Sequence, residues 1–316
     1  MRIGLFTAFF PQIAAGPIGR ANELLPQFKE SKRPTPQHIY DGIQLIIWGL
    51  FQKMVVADRL ASYITRADAS PKTATGGTLL IASIFFSIQI YADFSGYSDM
   101  AIGLGRMFNF RFLENFDHPY GSRSIQEFWR RWHISLSTWF RDYLYIPLGG
   151  SRKGSVRTYV NLFVVFLLCG VWHGAAWNFV AWGVYHGIGL VAERCGFRKV
   201  VDRMPKALGN AYVLLFVIVG WVLFRAPDMG YAWAYICNMF GGATAAFTSF
   251  NASIDFLSLD KLLLLLIGCV AAYSVFDAVA KRTPEAVRLV CGMAFFVVVY
   301  VLAITSAYSP FIYFRF

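Results

Sequence analysis

Charge is scarce in this chain: Asp, Glu, Lys and Arg make up 15% of its 316 residues, while 57% are hydrophobic and 17% aromatic. Soluble domains carry about 25% charged residues, so this composition, with a mean hydropathy of +0.49, excludes an ordinary soluble globule and indicates a polytopic membrane protein. Cysteine is sparse too. Cys169, Cys195, Cys237, Cys269 and Cys291 show no CxxC spacing, and three of them lie in apolar runs, so neither a disulfide framework nor a thiolate metal site is indicated. There is no GxSxG elbow and no HExxH pair, so neither a serine hydrolase nor a zinc protease is encoded. GGSRKGS at 149–155 approaches a phosphate loop, but Lys153 precedes the second glycine and no hydrophobic strand leads into it. Internal repeats and low-complexity tracts are lacking. MRIGLFTAFFPQ has neither the basic start nor the long apolar core of a signal peptide, so the spanning helices are expected to direct insertion.

Apolar stretches dominate. Runs at 39–57, 78–96, 158–173, 177–193, 211–224, 261–279 and 287–305 are long enough, or nearly so, for a crossing of about 20 residues, which predicts six or seven spans. Pro-, Gly- and charge-rich connections separate them: ESKRPTPQ, TRADASPKTATGG, GGSRKGSVR and RKVVDRMPK. The net charge of +11 is gathered in these connections rather than along one soluble face, so positive-inside orientation explains it and no nucleic acid partner is implied. Arg141, Arg152, Lys153 and Arg157 precede one pair of runs, and Arg194, Arg198, Lys199, Arg203 and Lys206 follow it. Both connections are therefore expected in the cytoplasm. The segment between them must enter and return, turning near HGAAWN after a rise of about 24 Å from Arg157. A re-entrant or protein-buried hairpin tip follows.

That tip carries His173. An ionisable side chain at membrane depth is a functional-site candidate. Gly170 and Gly174 flank it, Trp172 and Trp177 bracket it, and Asn178 is the nearby amide, which together suggest a broken helix around a polar pocket. A second histidine, His133, lies in SIQEFWRRWHISLSTWFRDYLYIPLGG. At helical spacing Ile125, Phe128, Trp129, Trp132, Leu136, Trp139, Phe140, Tyr143 and Leu144 share one face, opposite Glu127, Arg130, Arg131, Thr138, Arg141 and Asp142. The pattern predicts one amphipathic helix lying at the interface, with His133 at the edge of its apolar face. Asp93 and Asp99 in YADFSGYSDM are expected at a helix end broken by Gly96 and paired with Arg106 or Arg111. The competing use is a cation path in a transporter. His38, His118 and His186 are expected to be structural.

FFPQIAAGPIGRANELLPQF, IQIYADFSGYSDMAIGLGRMFNF, SRSIQEFWRRWHISLSTWFRDYLYIPLGGSR, GVWHGAAWNFVAWGVYHG and the terminal FIYFRF resemble the bacterial branch of the membrane-bound O-acyltransferase family, on the side that acetylates alginate and related exopolysaccharides. The resemblance implies an all-α, polytopic integral membrane helical bundle with broken or re-entrant helices and amphipathic interface helices. It also implies a single membrane-embedded acyltransferase domain over 1–316, with the family's N-terminal spanning helices lying outside this chain. A catalytic His173 in VWHG and a second important histidine, His133, in RRWHISL are implied as well. The donor would be acetyl-CoA or another acyl thioester on the cytoplasmic side of the bacterial inner membrane, and the acceptor an extracellular polysaccharide. A periplasmic esterase-like partner would complete the transfer, with no bound cofactor. The chemistry suits a histidine: transfer from a thioester needs the attacking hydroxyl deprotonated, and an imidazole is well matched to that general-base role. D-alanyl transfer to teichoic acid, or a transporter or scaffold without covalent chemistry, stands as the alternative.

Overall fold

A computed structural model describes residues 2–13, 16–29, 33–68, 74–241, 259–272 and 282–305, and every regular element among them is helical. The terminal FIYFRF, the 273–279 part of one apolar run and 69–73 of the TRADASPKTATGG connection lie outside the described residues.

After short N-terminal helices, α1 (Pro36–Phe51) opens at a Thr35 side chain that accepts the His38 backbone N–H at 3.2 Å. It continues through a π-helical turn, Gln52–Ala57, into α2 (Asp58–Asp68). α3 (Gly76–Met107) runs 32 residues without interruption. Two short helices, α4 (Ile125–Arg131) and α5 (Ile134–Phe140), precede α6 (Ser155–His173) and α7 (Trp177–Ala192). α8 (Lys206–Arg225), α9 (Met229–Met239), α10 (Leu259–Ala272) and α11 (Glu285–Thr305) complete the described helices. Among the described residues α3, α6, α8 and α11 are each long and apolar enough to cross a membrane. α3 is buried along most of its length, as the hub of a bundle must be, whereas the α11 surface is almost wholly apolar and outward-facing, as lipid contact requires.

Close helix approach explains two glycine pairings. α1 and α3 lie antiparallel with Gly42 against the Gly103 carbonyl and Gly49 against that of Gly96. Gly96 is thus a packing residue in the middle of α3, not the helix breaker expected from the sequence. α6 and α7 form the predicted hairpin and meet at Gly170 and Gly183, where a Cβ on Gly170 would strike the Phe179 carbonyl and crowd the Gly183 backbone. Gly170→Val is expected to push these helices apart and destabilise the hairpin by about 1–3 kcal/mol. Thermal unfolding of the purified protein in detergent should show a lowered midpoint, and an unchanged midpoint would contradict this packing.

The two acids of α3 are also partnered differently from the expectation. Asp93 is buried and ion-paired with Lys53 at 2.6 Å, and Lys53 also reaches Asp58 at 2.8 Å. Asp99 accepts a hydrogen bond from Gln52 at 2.8 Å, and the same amide accepts from Ser95 at 2.6 Å. Lys53 and Gln52 both come from the π-helical turn. Neither Arg106 nor Arg111 is a partner in these contacts: α3 continues past Gly96, with Asp93 buried in the bundle and Asp99 partly buried beside Gln52.

Candidate functional site

The predicted continuous amphipathic helix over 125–145 is broken. His133 adopts a left-handed backbone (φ 47°, ψ 55°) between α4 and α5, a conformation that costs a non-glycine residue on the order of 1–3 kcal/mol and concentrates at functional sites. The break is held from outside. The connection at Asn115–Asp117 pairs with it: Ile134 N–H donates to the Asn115 carbonyl at 2.9 Å, and Asp117 N–H to that of Arg131 at 3.0 Å. The Asn115 side chain then caps α5, accepting the Ser135 N–H at 3.1 Å and its hydroxyl at 2.8 Å. Ile125, Phe128, Trp132, Leu136 and Phe140 of the predicted apolar face pack into the protein core, while Trp139 and Tyr143 remain exposed.

His133 is buried. Its Nδ1 lies 3.1 Å from Asn115 Oδ1, and Phe94 of α3 packs edge-on to its ring at 4.7 Å between centroids. His133 lies outside the spanning helices, and burial, then the neighbouring His173, pushes its pKa down to about 3, so the ring is neutral. His173 ends α6 and is half-buried, with the rings of Phe224 at 5.0 Å and Trp182 at 5.3 Å. The two histidines, from different segments, line one cavity with Trp129, Trp132, Trp182 and Trp221. The void is ≈ 10 Å³, room for one water-sized group. Trp182 is almost completely buried, and its Nε1 has no hydrogen-bond partner.

The remaining expectations resolve individually. The turn falls at Gly174–Ala176, within the HGAAWN stretch expected to carry it, and Trp172 packs against His173 at 4.9 Å. Trp177 is 79% exposed and is not part of the lining shared by the two histidines. Asn178 does not serve His173: its amide donates to the carbonyls of Phe224 (3.4 Å) and Ala226 (2.9 Å), closing the end of α8. His186 is buried and accepts the Trp129 Nε1–H at 3.2 Å, a structural use that fixes a cavity wall. His118 sits beside Asp117 at 3.2 Å. No three His, Cys, Asp or Glu side chains among the described residues are grouped to hold a metal. The GGSRKGS loop contributes to a second cavity of ≈ 210 Å³ lined by Ser151, Gly154, Ser155, Thr158, Tyr159 and Arg194, on the face carrying the basic connections. Sequence reasoning missed Asn115, Trp182 and Trp221; nothing in ENFDHPY marks an asparagine whose partners arrive twenty residues later.

Chemically, two imidazoles lining a small aromatic void can exchange protons with one bound group. The model of the membrane-bound O-acyltransferase family matches residues 3–232. The chain belongs to that family. It is 42% identical over 271 residues to the probable alginate O-acetylase AlgI of Azotobacter vinelandii, a match covering 85% of this chain and 54% of that protein. It is 43% identical over 245 residues to the peptidoglycan O-acetyltransferase of Helicobacter pylori, covering 75% and 46%. To the teichoic acid D-alanyltransferase of Bacillus subtilis it is 32% identical over 197 residues, covering 59% and 50%. The chain thus spans about half the length of these curated relatives.

Proposed function

We propose that this membrane-bound O-acyltransferase family member passes an acetyl group from a cytoplasmic thioester, acetyl-CoA or another acyl thioester, across the bacterial inner membrane for O-acetylation of an extracellular polysaccharide such as alginate. The observation that carries the reading is the meeting of His173 and His133 in the lining of one small aromatic cavity at the end of a membrane-long hairpin. In the step proposed, the acceptor oxygen bonds to the acyl carbon while its proton passes to His173 as general base. The C–S bond breaks, and the leaving thiolate takes up a proton. The Arg194-lined cavity among the basic connections suits the phosphates of a thioester carrier. A periplasmic esterase-like protein completes the transfer to sugar. A transporter reading is disfavoured because Asp93 and Asp99, its candidate cation ligands, are engaged by Lys53 and Gln52.

The relatives include both acetyl and D-alanyl transferases, so the test separates the two acyl groups. In cells carrying the full-length protein, deletion should remove ester-linked acetate from exported polymer and leave D-alanyl esters unchanged. Loss of D-alanyl esters with acetate retained would overturn the acetyl reading.

A further inference from the structure

We propose that Asn115 is a positioning residue that holds His133, a residue of the cavity lining, as its Nδ1–H tautomer, so that the lone pair of the neutral ring, and with it the proton-accepting role, lies on Nε2. The proposal rests on the acyl-transfer reading for its consequence, but the tautomer follows from the hydrogen bonds of a neutral, buried ring. A backbone N–H can only donate, and that of Ser135 points at Asn115 Oδ1 at 3.1 Å, which assigns that atom as the carbonyl oxygen. The amide's other end agrees, since Asn115 Nδ2 donates to Ser98 Oγ at 3.2 Å. His133 Nδ1, 3.1 Å from the same Oδ1, must therefore carry the proton. A neutral imidazole has one N–H, so Nε2 is left as the acceptor.

This restricts what His133 does during transfer. With no proton on Nε2 it cannot polarise the thioester carbonyl. It can accept the hydroxyl proton, directly or after His173, as the oxygen–carbon bond forms, and return it to the thiolate when the C–S bond breaks. The left-handed backbone at His133 and the edge-on Phe94 ring keep the imidazole in that register. The titratable group facing His133 is His173. On the elements packed against it are Asp93 and Asp99 of α3, held by Lys53 and Gln52, and Glu114, Asp117 and His118 of the connection.

The test is the pH profile of acyl transfer per folded molecule for the full-length protein in its membrane. Asn115→Asp keeps an oxygen for Nδ1–H and Ser135 but sets a negative charge beside the ring. The acid limb of the profile should move upward by about 1–3 pH units, as an opposite charge at contact distance does. In a His133→Ala background the same substitution should move nothing. An unshifted limb, or a shift that persists without His133, overturns the proposal. If Asn115→Asp fails to accumulate, nitrogen NMR of histidine-labelled wild-type protein decides: the signal lost in His133→Ala should show a protonated Nδ1 and bare Nε2, and the reverse overturns the assignment. Wild-type protein without acyl transfer would instead refute the function, with the NMR result still reading the tautomer.

Discussion

Lys53→Ala is expected to remove most of the folded protein. The ammonium lies 2.6 Å from Asp93 and 2.8 Å from Asp58, with side chains 7% exposed for Lys53 and 2% for Asp93. Two charges so enclosed stand only because each compensates the other. Removing one strands a buried carboxylate, which costs about 3–5 kcal/mol, a large fraction of the roughly 5–15 kcal/mol by which folded proteins are stable. Asp58, 26% exposed, reaches water and gains little from the pair. Replacing the pair together, Lys53→Met with Asp93→Leu, should therefore recover much of the loss, since an apolar pair of similar volume leaves no uncompensated charge. Thermal unfolding and membrane abundance check both variants. A Lys53→Ala protein as stable as wild type would show that this contact holds nothing together.

What was legible in the sequence follows from what periodicity can carry. The apolar runs at 78–96, 158–173, 211–224 and 287–305 became α3, α6, α8 and α11, the described helices long and apolar enough to cross a membrane, because roughly 20 apolar residues need no distant partner to declare a crossing, and 177–193 became the shorter α7. The hairpin turn at Gly174–Ala176 was readable from charge asymmetry and length. Interactions at long sequence separation were not. Lys53 is a cation inside the apolar run 39–57, and its partner Asp93 is 40 residues away. A π-helical turn, which sets both Gln52 and Lys53 inward, leaves no trace in a pattern computed at 100° per residue. The helical wheel over 125–145 failed for a related reason: it assumes uniform backbone angles, and the left-handed residue at His133 is stabilised by Asn115 from another connection. Both histidines could be singled out by residue type and surroundings. That they share one cavity required the fold.

Replacing His173 by Gln is expected to abolish acetyl transfer while leaving the protein folded. The half-buried ring ends α6 at a turn and packs against Trp182 and Phe224, contacts that a glutamine of similar size keeps in part. Glutamine cannot take a proton, however, and losing a general base costs roughly 10²–10⁴ in rate. His133→Ala should fall short of that loss if His173 is the first acceptor and His133 the second. A histidine with only a packing role would behave otherwise, lowering abundance and activity together. The decisive measurement is ester-linked acetate on exported polymer per unit of folded protein, compared between wild-type and His173→Gln full-length protein in the same cells. A drop of at least about a hundredfold at unchanged protein level and thermal stability is the result expected of a general base. Wild-type acetate with His173→Gln would contradict the acyl-transfer account of this cavity.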